Sequence, residues 1–344
     1  MSERAKTYCF TAIVGQEDMK LALVLNAINP ALGGVLIRGE KGTAKSTAVR
    51  ALTQLLPERE EVANCRFGCD PNDIAWMCDE CRSRLEKGET LPRVTRRMNV
   101  VDLPISVTED RLVGTLDMEH AIKTGEKRFE TGILARANRN ILYVDEVNLL
   151  DDHVVDLILD SAAMGVNTVE REGISYSHPS RFILVGTMNP EEGDLRPQLL
   201  DRFGLSVNVS GEREASSRAD VIENRMLFEN DPDAFFAKYE HAQKRLLEEI
   251  VNARRILKDA RYSREIIEFI ARMCIKLEVD GHRADIATLK TALTIAALQG
   301  RLEIIADDIY RAARLALPHR LRRRPFEDVG ADLDALLKTL REDS

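Results

Sequence analysis

Residues 38–52, RGEKGTAKSTAVRAL, have nearly the spacing of a phosphate-binding loop, G-x-x-x-x-G-K-[ST]. Gly39, Lys45 and Ser46 fit this pattern, and Ala44 replaces the glycine before the lysine. In such loops backbone N–H groups surround the phosphates, the lysine reaches the outer phosphates and the hydroxyl binds Mg²⁺. The pattern predicts a nucleotide site formed by Gly39, Glu40, Lys41, Gly42, Thr43, Ala44, Lys45, Ser46 and Thr47. The alternative is a strand–loop–helix connection that binds no nucleotide.

Ala44 departs from this loop pattern. It opens the following helix, and alanine costs nothing where the backbone is already close to helical. On that condition the loop tolerates the extra methyl group, and we expect it to bind nucleotide with Ala44 in place.

Two acidic residues follow a strand of four apolar residues in ILYVDEVNLL, residues 141–150. Open α/β sheets bind their ligands at the carboxyl ends of the strands. We expect Asp145 to hold Mg²⁺, through water, and Glu146 to polarise the attacking water. A solvated acidic strand end is the alternative, and the phosphate-binding pattern upstream argues against it.

Three further polar residues are candidates for catalysis. Asn189 ends the apolar run LVGTMNP, where a neutral amide can hold the water or the γ-phosphate without competing for Mg²⁺. Arg202, in LRPQLLDRFG, suits a domain edge from which an arginine reaches a phosphate on a neighbouring subunit. Arg283 begins a helix and could project toward the phosphates. The alternatives are a turn-forming Asn-Pro pair at Asn189 and a salt bridge from Arg202 to Asp201.

Four of the six cysteines lie in CRFGCDPNDIAWMCDEC, residues 65–81. They form two close pairs, Cys65 with Cys69 and Cys78 with Cys81. In a reducing compartment such a cluster favours a metal site over disulfides. Zinc is the first candidate, an iron–sulfur cluster the second and a redox-switched pair of disulfides the third. Four free thiols on a surface loop are the alternative without a ligand.

The elements that must position these residues follow from the apolar pattern. Continuous apolar runs are typical of strands covered by helices on both faces. Five such strands are predicted at residues 35–38, 98–103, 141–146, 181–189 and 205–209. Beyond residue 216, charged periodic segments predict helices alone. The sequence therefore predicts an α/β domain with a parallel sheet over residues 1–215, and an all-helical domain over residues 216–344.

Three segments exceed what a minimal α/β domain needs. They are the four-cysteine insertion 65–81, residues 104–137 between the second and third strands, and residues 167–179. The last of these predicts a hairpin that turns at Glu172-Gly173. Near the carboxyl end, the charge run HRLRRRPFED, residues 319–328, predicts a solvated helix end.

Charge and hydropathy exclude some function classes. The formal net charge is −8 and the isoelectric point is about 5.5, which argues against broad binding to nucleic acid. The first residues, MSERAKTYCF, lack the apolar stretch of a signal peptide, and no apolar run is long enough to span a bilayer. We expect a cytoplasmic protein that binds neither nucleic acid nor a membrane.

The candidate residues occur in the order that is typical of an AAA+ ATPase, and longer stretches are more specific. These stretches include FTAIVGQEDMKLAL, VVDLPISVTEDRLVGTLDMEHAI, LARANRNILYVDEVNLLDDHVVDLILD and NPEEGDLRPQLLDRFG. Over nearly all of residues 10–325 the chain resembles the ATPase subunit I family of magnesium chelatase. Ala44 and the four-cysteine insertion depart from the familiar pattern of that family.

The resemblance implies an AAA+ P-loop domain with a five-stranded parallel sheet, a helical lid, and ATP and Mg²⁺ as cofactors. It implies a homo-oligomeric ring that hydrolyses ATP at its subunit interfaces. The partners it implies are an AAA+ subunit with an integrin-like domain and a large porphyrin-binding chelatase subunit. The function implied is a motor that drives insertion of Mg²⁺, Co²⁺ or Ni²⁺ into a tetrapyrrole.

Two other classes compete with this interpretation. A MoxR-type AAA+ chaperone, which matures a partner protein, would share the insertions and all the ATP-site residues. A nucleic-acid translocase of similar architecture is disfavoured by the acidic isoelectric point.

Overall fold

The computed structural model describes residues 7–116, 129–171 and 174–321. Its α-helices are α1 (Glu17–Ile28), α2 (Lys45–Leu55), α3 (Asp79–Glu86), α4 (Glu109–Val113), α5 (Ile133–Ala137), α6 (Asp152–Met164), α7 (Pro197–Leu200), α8 (Ala215–Asn230), α9 (Pro232–Ile256), α10 (Arg264–Lys276), α11 (Arg283–Leu298) and α12 (Ala306–Ala316). Its β-strands are β1 (Val35–Gly39), β2 (Arg59–Val62), β3 (Arg93–Arg96), β4 (Val100–Leu103), β5 (Gly114–Leu116), β6 (Phe129–Thr131), β7 (Ile141–Val144), β8 (Val166–Arg171), β9 (Ile174–Pro179), β10 (Ile183–Met188) and β11 (Leu205–Val209). Among the described helices, none is both long and apolar enough to cross a membrane.

Five strands form a parallel sheet in the order β11-β1-β10-β7-β4. The pairing is parallel between β1 and β11, and between β7 and each of its neighbours β10 and β4. All residues of β7 and β10 are buried, as expected for continuous apolar strands that are covered on both faces. The sheet confirms the five predicted strands and the α/β fold class.

Contacts between residues divide the chain into two compact units. The first unit comprises residues 1–55 and 187–344, and the second comprises residues 56–186. The division falls within β10. The boundary near residue 215 that the sequence predicts is a different partition of the chain, and it stays a prediction.

The first unit carries β1, β11 and most of the helices. The buried face of α2 consists of Ala48, Val49, Ala51, Leu52 and Leu55. Helix α11 packs against α9, α10 and α12. From residue 215 to residue 321 the regular elements are helices, and one isolated bridge joins Arg261 to Glu303. This confirms the helical pattern predicted for the carboxyl half.

The second unit carries β4, β7 and three antiparallel pairs of strands. Strands β8 and β9 confirm the predicted hairpin, although its turn at Glu172-Gly173 lies outside the described residues. Strands β5 and β6 pair within the predicted insertion 104–137, of which residues 117–128 lie outside the description. Strands β2 and β3 pair on either side of the four-cysteine insertion, and their polar sequences REEV and RVTR gave no strand signal.

Candidate functional site

The phosphate loop (residues 39–47) joins β1 to α2 in the first unit. At Gly39 a Cβ atom would overlap the carbonyl oxygen of Val209 on β11, so only glycine fits there. Gly42 has a φ of +84°, a left-handed backbone that glycine adopts without strain. The Lys45 ammonium donates to the carbonyl oxygens of Gly39 and Glu40, the latter at 3.1 Å. The lysine predicted to contact phosphates therefore binds the backbone of its own loop in this structure.

Ala44 does not have the near-helical backbone under which alanine would cost nothing. Its φ is +59°, which is left-handed, and α2 begins only at the next residue. A left-handed conformation costs a non-glycine residue about 1–2 kcal/mol. The turn into α2 requires this conformation, so alanine is strained here and a glycine would not be.

A cavity of about 590 Å³ lies beside the phosphate loop, within the first unit. Gly42, Thr43, Ala44 and Thr47 form one part of its lining. The apolar part of the lining consists of Ala12, Ile13, Val14, Val221 and Ile222. Apolar walls next to the backbone groups of a phosphate loop suit a planar base that is joined to a phosphate chain.

Sequence reasoning did not identify this cavity. Its walls come from the segment before α1 and from α8, which are far apart in the sequence. Val221 and Ile222 are 43% and 63% exposed and lie among polar residues in the first half of α8, where two isolated apolar residues carry no signal. The apolar run TAIV directly before α1 was the available clue.

Tyr8 fixes one edge of the cavity. Its ring packs against Phe228 and Phe235, with ring centroids 5.3 Å and 4.8 Å away. Burial raises the pKa of Tyr8 to about 12, so the hydroxyl stays protonated at neutral pH. The edge is therefore uncharged and held by aromatic packing.

Asn189 directly follows β10 and is 7% exposed. Its side-chain oxygen accepts a hydrogen bond from the backbone N–H of Glu191 at 3.2 Å, which caps the 3₁₀ helix Pro190–Glu192. The turn-forming role considered for this residue is therefore present, and its catalytic role stays a prediction.

Asp201, next to the candidate Arg202, is the centre of an ion-pair network in the first unit. One carboxylate oxygen accepts from Arg283 at 2.8 Å and the other from Arg320 at 3.1 Å. The Arg283 side chain is 59% exposed, whereas that of Arg320 is 3% exposed. The predicted catalytic roles of Arg202 and Arg283 stay predictions.

The beginning of the charge run 319–328 corrects the sequence analysis. Arg320 also donates to the carbonyl oxygens of Asp201 and Phe203, at 2.8 Å and 2.7 Å. His319 donates to the carbonyl oxygen of Phe203 at 2.9 Å, and burial lowers its pKa well below the usual value. The prediction of a solvated helix end is wrong at both residues, because they supply donors to the turn before β11. The run from residue 322 onward lies outside the described residues.

Asp145 and Glu146 follow β7 in the second unit, the first exposed and the second half-buried. The Tyr143 hydroxyl donates to Asp145 at 2.9 Å. Glu146 has a φ of +53°, which is rare for a residue other than glycine, and the 3₁₀ helix Val147–Leu149 follows it. Such strained backbone clusters at functional sites, although it does not by itself assign a role. The roles of both acids in Mg²⁺ binding and catalysis stay predictions.

The four cysteines of the cysteine segment (residues 65–81) converge in the second unit. Their Sγ atoms all lie within 4.8 Å of one another, and those of Cys65 and Cys78 are 3.8 Å apart. Cys69, Cys78 and Cys81 are buried and Cys65 is half-buried. Hydrogen bonds from Cys69 and Cys78 lower the pKa of the Cys65 thiol, whereas the hydrogen bonds to Cys65 raise the pKa of Cys69 and of Cys78, and burial raises that of Cys81. This arrangement contradicts four exposed thiols on a surface loop and provides a set of ligands for one metal centre.

Two family models match the chain. Residues 115–199 match the family described as magnesium chelatase, subunit ChlI, and residues 267–339 match the AAA lid domain.

Curated relatives match over almost the whole chain. The magnesium-chelatase subunit ChlI homolog of Methanocaldococcus jannaschii is 56% identical, over 97% of this chain and 91% of that protein. The chloroplastic magnesium-chelatase subunit ChlI of Chlamydomonas reinhardtii is 52% identical, over 93% of this chain and 77% of that protein. Magnesium-chelatase subunit ChlI of Synechocystis is 50% identical, over 97% and 94%.

Solved structures agree in fold. A chain from the cryo-EM-based complex of magnesium-chelatase subunits BchI and BchD is 47% identical, covers 95% of this chain and 99% of its own length, and has a TM-score of 0.56. A putative ATPase from Cytophaga hutchinsonii has a TM-score of 0.60 at 16% identity, over 96% of this chain and 91% of its own, and shows the fold alone. These matches confirm the AAA+ fold class.

Proposed function

We propose a specific motor function for this chain, which belongs to the ChlI family of magnesium-chelatase subunits. As an AAA+ ATPase of this family, it drives the chelatase ligase reaction, which forms bonds between nitrogen and a metal. The proposal is that ATP hydrolysis by this subunit drives insertion of Mg²⁺ into a tetrapyrrole. The observation that carries it is the phosphate loop beside an apolar cavity of about 590 Å³ in one unit.

The phosphate loop fits the phosphates of ATP by its backbone. Glycine at residue 39 is required by β11, and left-handed Gly42 and Ala44 turn the loop before α2. Lys45 would exchange its carbonyl partners for the outer phosphates, and the base would enter the cavity. Ser46 and Asp145 would hold the Mg²⁺ that accompanies ATP, because hydroxyl and carboxylate oxygens suit this ion.

The catalytic assignments extend the same proposal. Glu146 polarises the attacking water, and Asn189 holds that water or the γ-phosphate. Arg202 acts on the ATP of a neighbouring subunit, where its guanidinium stabilises the charge that develops during transfer. Arg283 contacts the phosphates from the helical lid, after leaving its exposed pair with Asp201.

The domain division remains part of the proposal. We place the AAA+ nucleotide-binding domain at residues 1–215, and the linker helix and lid at residues 216–344. The match of residues 267–339 to the AAA lid domain supports a lid in this half.

The partners follow from the family. The solved complex of BchI and BchD supports an oligomeric AAA+ subunit with a second subunit as its partner. We propose a homo-oligomeric ring, a bridging AAA+ subunit with an integrin-like domain, and a large porphyrin-binding subunit. A cytoplasmic location, with no nucleic acid or membrane as a partner, completes the proposal.

The cysteine segment adds a second cofactor to the proposal. The four thiols hold one metal centre, either a zinc ion or an iron–sulfur cluster. This centre is a resident of the protein and is distinct from the metal that the complex inserts.

The test is reconstitution of metal insertion. The purified chain is mixed with the bridging and porphyrin-binding subunits of the same organism, a porphyrin, ATP, and Mg²⁺, Co²⁺ or Ni²⁺ in separate reactions. We expect insertion of Mg²⁺ that requires both ATP and this chain. The change in porphyrin fluorescence measures the rate of insertion. Glu146→Gln should lower the rate about 10²–10⁴-fold with ATP binding intact. Glu130→Gln, which removes an exposed carboxylate of β6, is the matched control.

The outcomes separate the parts of the proposal. Insertion of Co²⁺ or Ni²⁺ without Mg²⁺ would leave the motor role and change its substrate. ATP hydrolysis without insertion of any of the three ions would contradict the chelatase role. An undiminished rate in Glu146→Gln would remove that residue from the mechanism.

A further inference from the structure

We propose that Cys65, Cys69, Cys78 and Cys81 bind one Zn²⁺ ion, and that this ion fastens the cysteine segment onto β6 and β9 of the second unit. The inference deepens the metal centre of the proposed function and rests on it. It does not depend on ATP chemistry.

The spacing of the sulfur atoms fits a single tetrahedral ion. Zinc–sulfur bonds of about 2.3 Å place neighbouring sulfurs of a tetrahedron about 3.8 Å apart. Cys65 Sγ and Cys78 Sγ are 3.8 Å apart, and all four Sγ atoms lie within 4.8 Å of one another. In a disulfide bond the two sulfur atoms are about 2.05 Å apart, which is much closer than these. An iron–sulfur cluster places several irons and sulfides between its thiolates, so its ligands must stand farther apart.

Nearby backbone groups stabilise negatively charged sulfur. The N–H of Phe67 points to Cys65 Sγ at 3.4 Å, and the N–H of Cys78 points to Cys69 Sγ at 3.2 Å. Cys78 is the N-cap residue of α3, and Cys81 lies in its first turn, at the positive end of the helix dipole. Thiolates are the form that binds zinc, so these contacts favour metal-bound sulfur.

The chain between the first two cysteines contacts the strands that would be fastened. Phe67 is 2% exposed, and its ring stacks on that of His178 in β9, with centroids 4.8 Å apart. The neighbouring rings of Phe129 in β6 and Tyr176 in β9 stack at 4.2 Å. Arg66 donates to the carbonyl oxygen of Phe129 at 3.0 Å. A change in the position of residues 66–67 would therefore alter the packing of both strands.

Hydrogen bonds from outside the cysteine segment also hold the backbone between its first two cysteines. The Asn138 amide donates to the carbonyl oxygen of Phe67 at 2.7 Å, and Arg139 donates to that of Gly68 at 3.2 Å. Arg139 also pairs with Asp70 at 2.7 Å. The segment itself offers few apolar side chains, and Ile74 among them is 61% exposed. A metal ion would therefore supply order that apolar burial within the segment cannot.

Metal content is the first measurement. The full chain, purified without oxygen, should contain about one zinc per chain. Cys78→Ser should lose most of this zinc. Cys274→Ser is the matched control, because Cys274 is also buried but lies in α10, outside the cluster. This variant should keep the zinc. Iron in place of zinc would overturn the inference but leave a metal centre. A metal-free chain with four titratable thiols would overturn both.

Amide hydrogen exchange tests the fastening. Removal of zinc by a chelator should speed exchange at least about tenfold in residues 62–81, 129–131 and 174–179. Residues 35–55, in the first unit, should exchange at the same rate with and without zinc. Cys274→Ser, which keeps the zinc site, should respond to the chelator as the parent chain does. Unchanged exchange in residues 129–131 and 174–179 after zinc loss would overturn the fastening while leaving the zinc site.

Discussion

The phosphate loop and the cysteine segment are both irregular stretches of chain, yet they are held in different ways. The phosphate loop lies between β1 and α2, and the parallel pairing of β1 with β11 fixes its first residue at Gly39. The cysteine segment runs from the turn after β2 into the first turn of α3, and it accepts hydrogen bonds from the side chains of Asn138 and Arg139, which are distant in the sequence. The first therefore depends on regular elements, and the second depends on individual side chains.

This difference separates ligand binding from local order. The groups that would bind ATP are mostly backbone groups of the phosphate loop, so side-chain changes there should alter affinity more than structure. In the cysteine segment each thiol is a ligand of the proposed ion, so a single change should release the surrounding chain.

The largest effect is expected at Lys45. Lys45→Ala should lower ATP affinity at least about a hundredfold, because it removes charge-assisted hydrogen bonds to the phosphates. Calorimetric titration measures this loss. The matched control is Lys244→Ala, since Lys244 is an exposed lysine of α9, outside the phosphate loop, that pairs with Glu240 at 2.6 Å. Equal losses in both variants would contradict the assigned role, and the zinc content should not change in either.

Arg320 and Arg283 test how the first unit holds the turn before β11. Arg320→Ala should lower the free energy of unfolding by about 3 kcal/mol, because it removes the side-chain donor to the carbonyl oxygens of Asp201 and Gly204 and the buried one of two arginine partners of the Asp201 carboxylate. Arg283→Ala removes the exposed partner of the same carboxylate and should cost less than about 1 kcal/mol. Urea denaturation compares the two variants. Similar losses would contradict the buried network.

His319 predicts a dependence of stability on pH. Burial keeps its folded-state pKa well below the unfolded value of about 6.5, so below that pH the unfolded chain binds a proton that the folded chain does not. Stability contributed by neutral His319 should therefore be present above pH 6.5 and fall by up to about 1.4 kcal/mol per pH unit below it. The His319→Gln variant should lose less stability than the parent chain for each pH unit between about pH 6.5 and pH 5. Parallel curves for the two proteins would contradict this account.

The smallest effect on ATP affinity is expected for Ala44→Gly. Ala44→Gly relieves a left-handed strain of about 1–2 kcal/mol but adds flexibility to the unfolded chain, so ATP affinity should change less than about fivefold. Ala44→Val places a β-branched residue at the same φ and should weaken binding by more than about tenfold. Binding by the valine variant at the parent affinity would contradict the left-handed backbone at this residue.

The sequence was most informative where a fixed spacing coincides with regular elements. The apolar runs predicted all five parallel strands, and the two fixed residues of the loop pattern are the last residue of β1, Gly39, and the first residue of α2, Lys45. The left-handed backbone of Ala44 was not predictable, because a residue type does not fix its dihedral angles. The cysteine spacing indicated that the thiols converge. It did not show that three of them are buried.

Long-range contacts account for what the sequence did not reveal. The cavity combines the segment before α1 with Val221 and Ile222 of α8, and no local pattern links them. In the sequence, Arg320 is one charge among several in a basic run. In the structure its side chain is buried, because it donates to the carbonyl oxygens of Asp201, Phe203 and Gly204. Such roles depend on which turns the fold brings together, and that information is absent from a local window.

The central proposal is that this chain is an ATPase motor whose active site is completed by a neighbouring copy. The most direct measurement is steady-state ATP hydrolysis by mixtures of Arg202→Ala and Lys45→Ala subunits. Each variant alone should be nearly inactive, with losses on the order of 10³-fold or more for the arginine. Mixed assemblies should regain activity, because some interfaces pair an intact phosphate loop with an intact arginine. No recovery in assemblies shown to be mixed would contradict the claim.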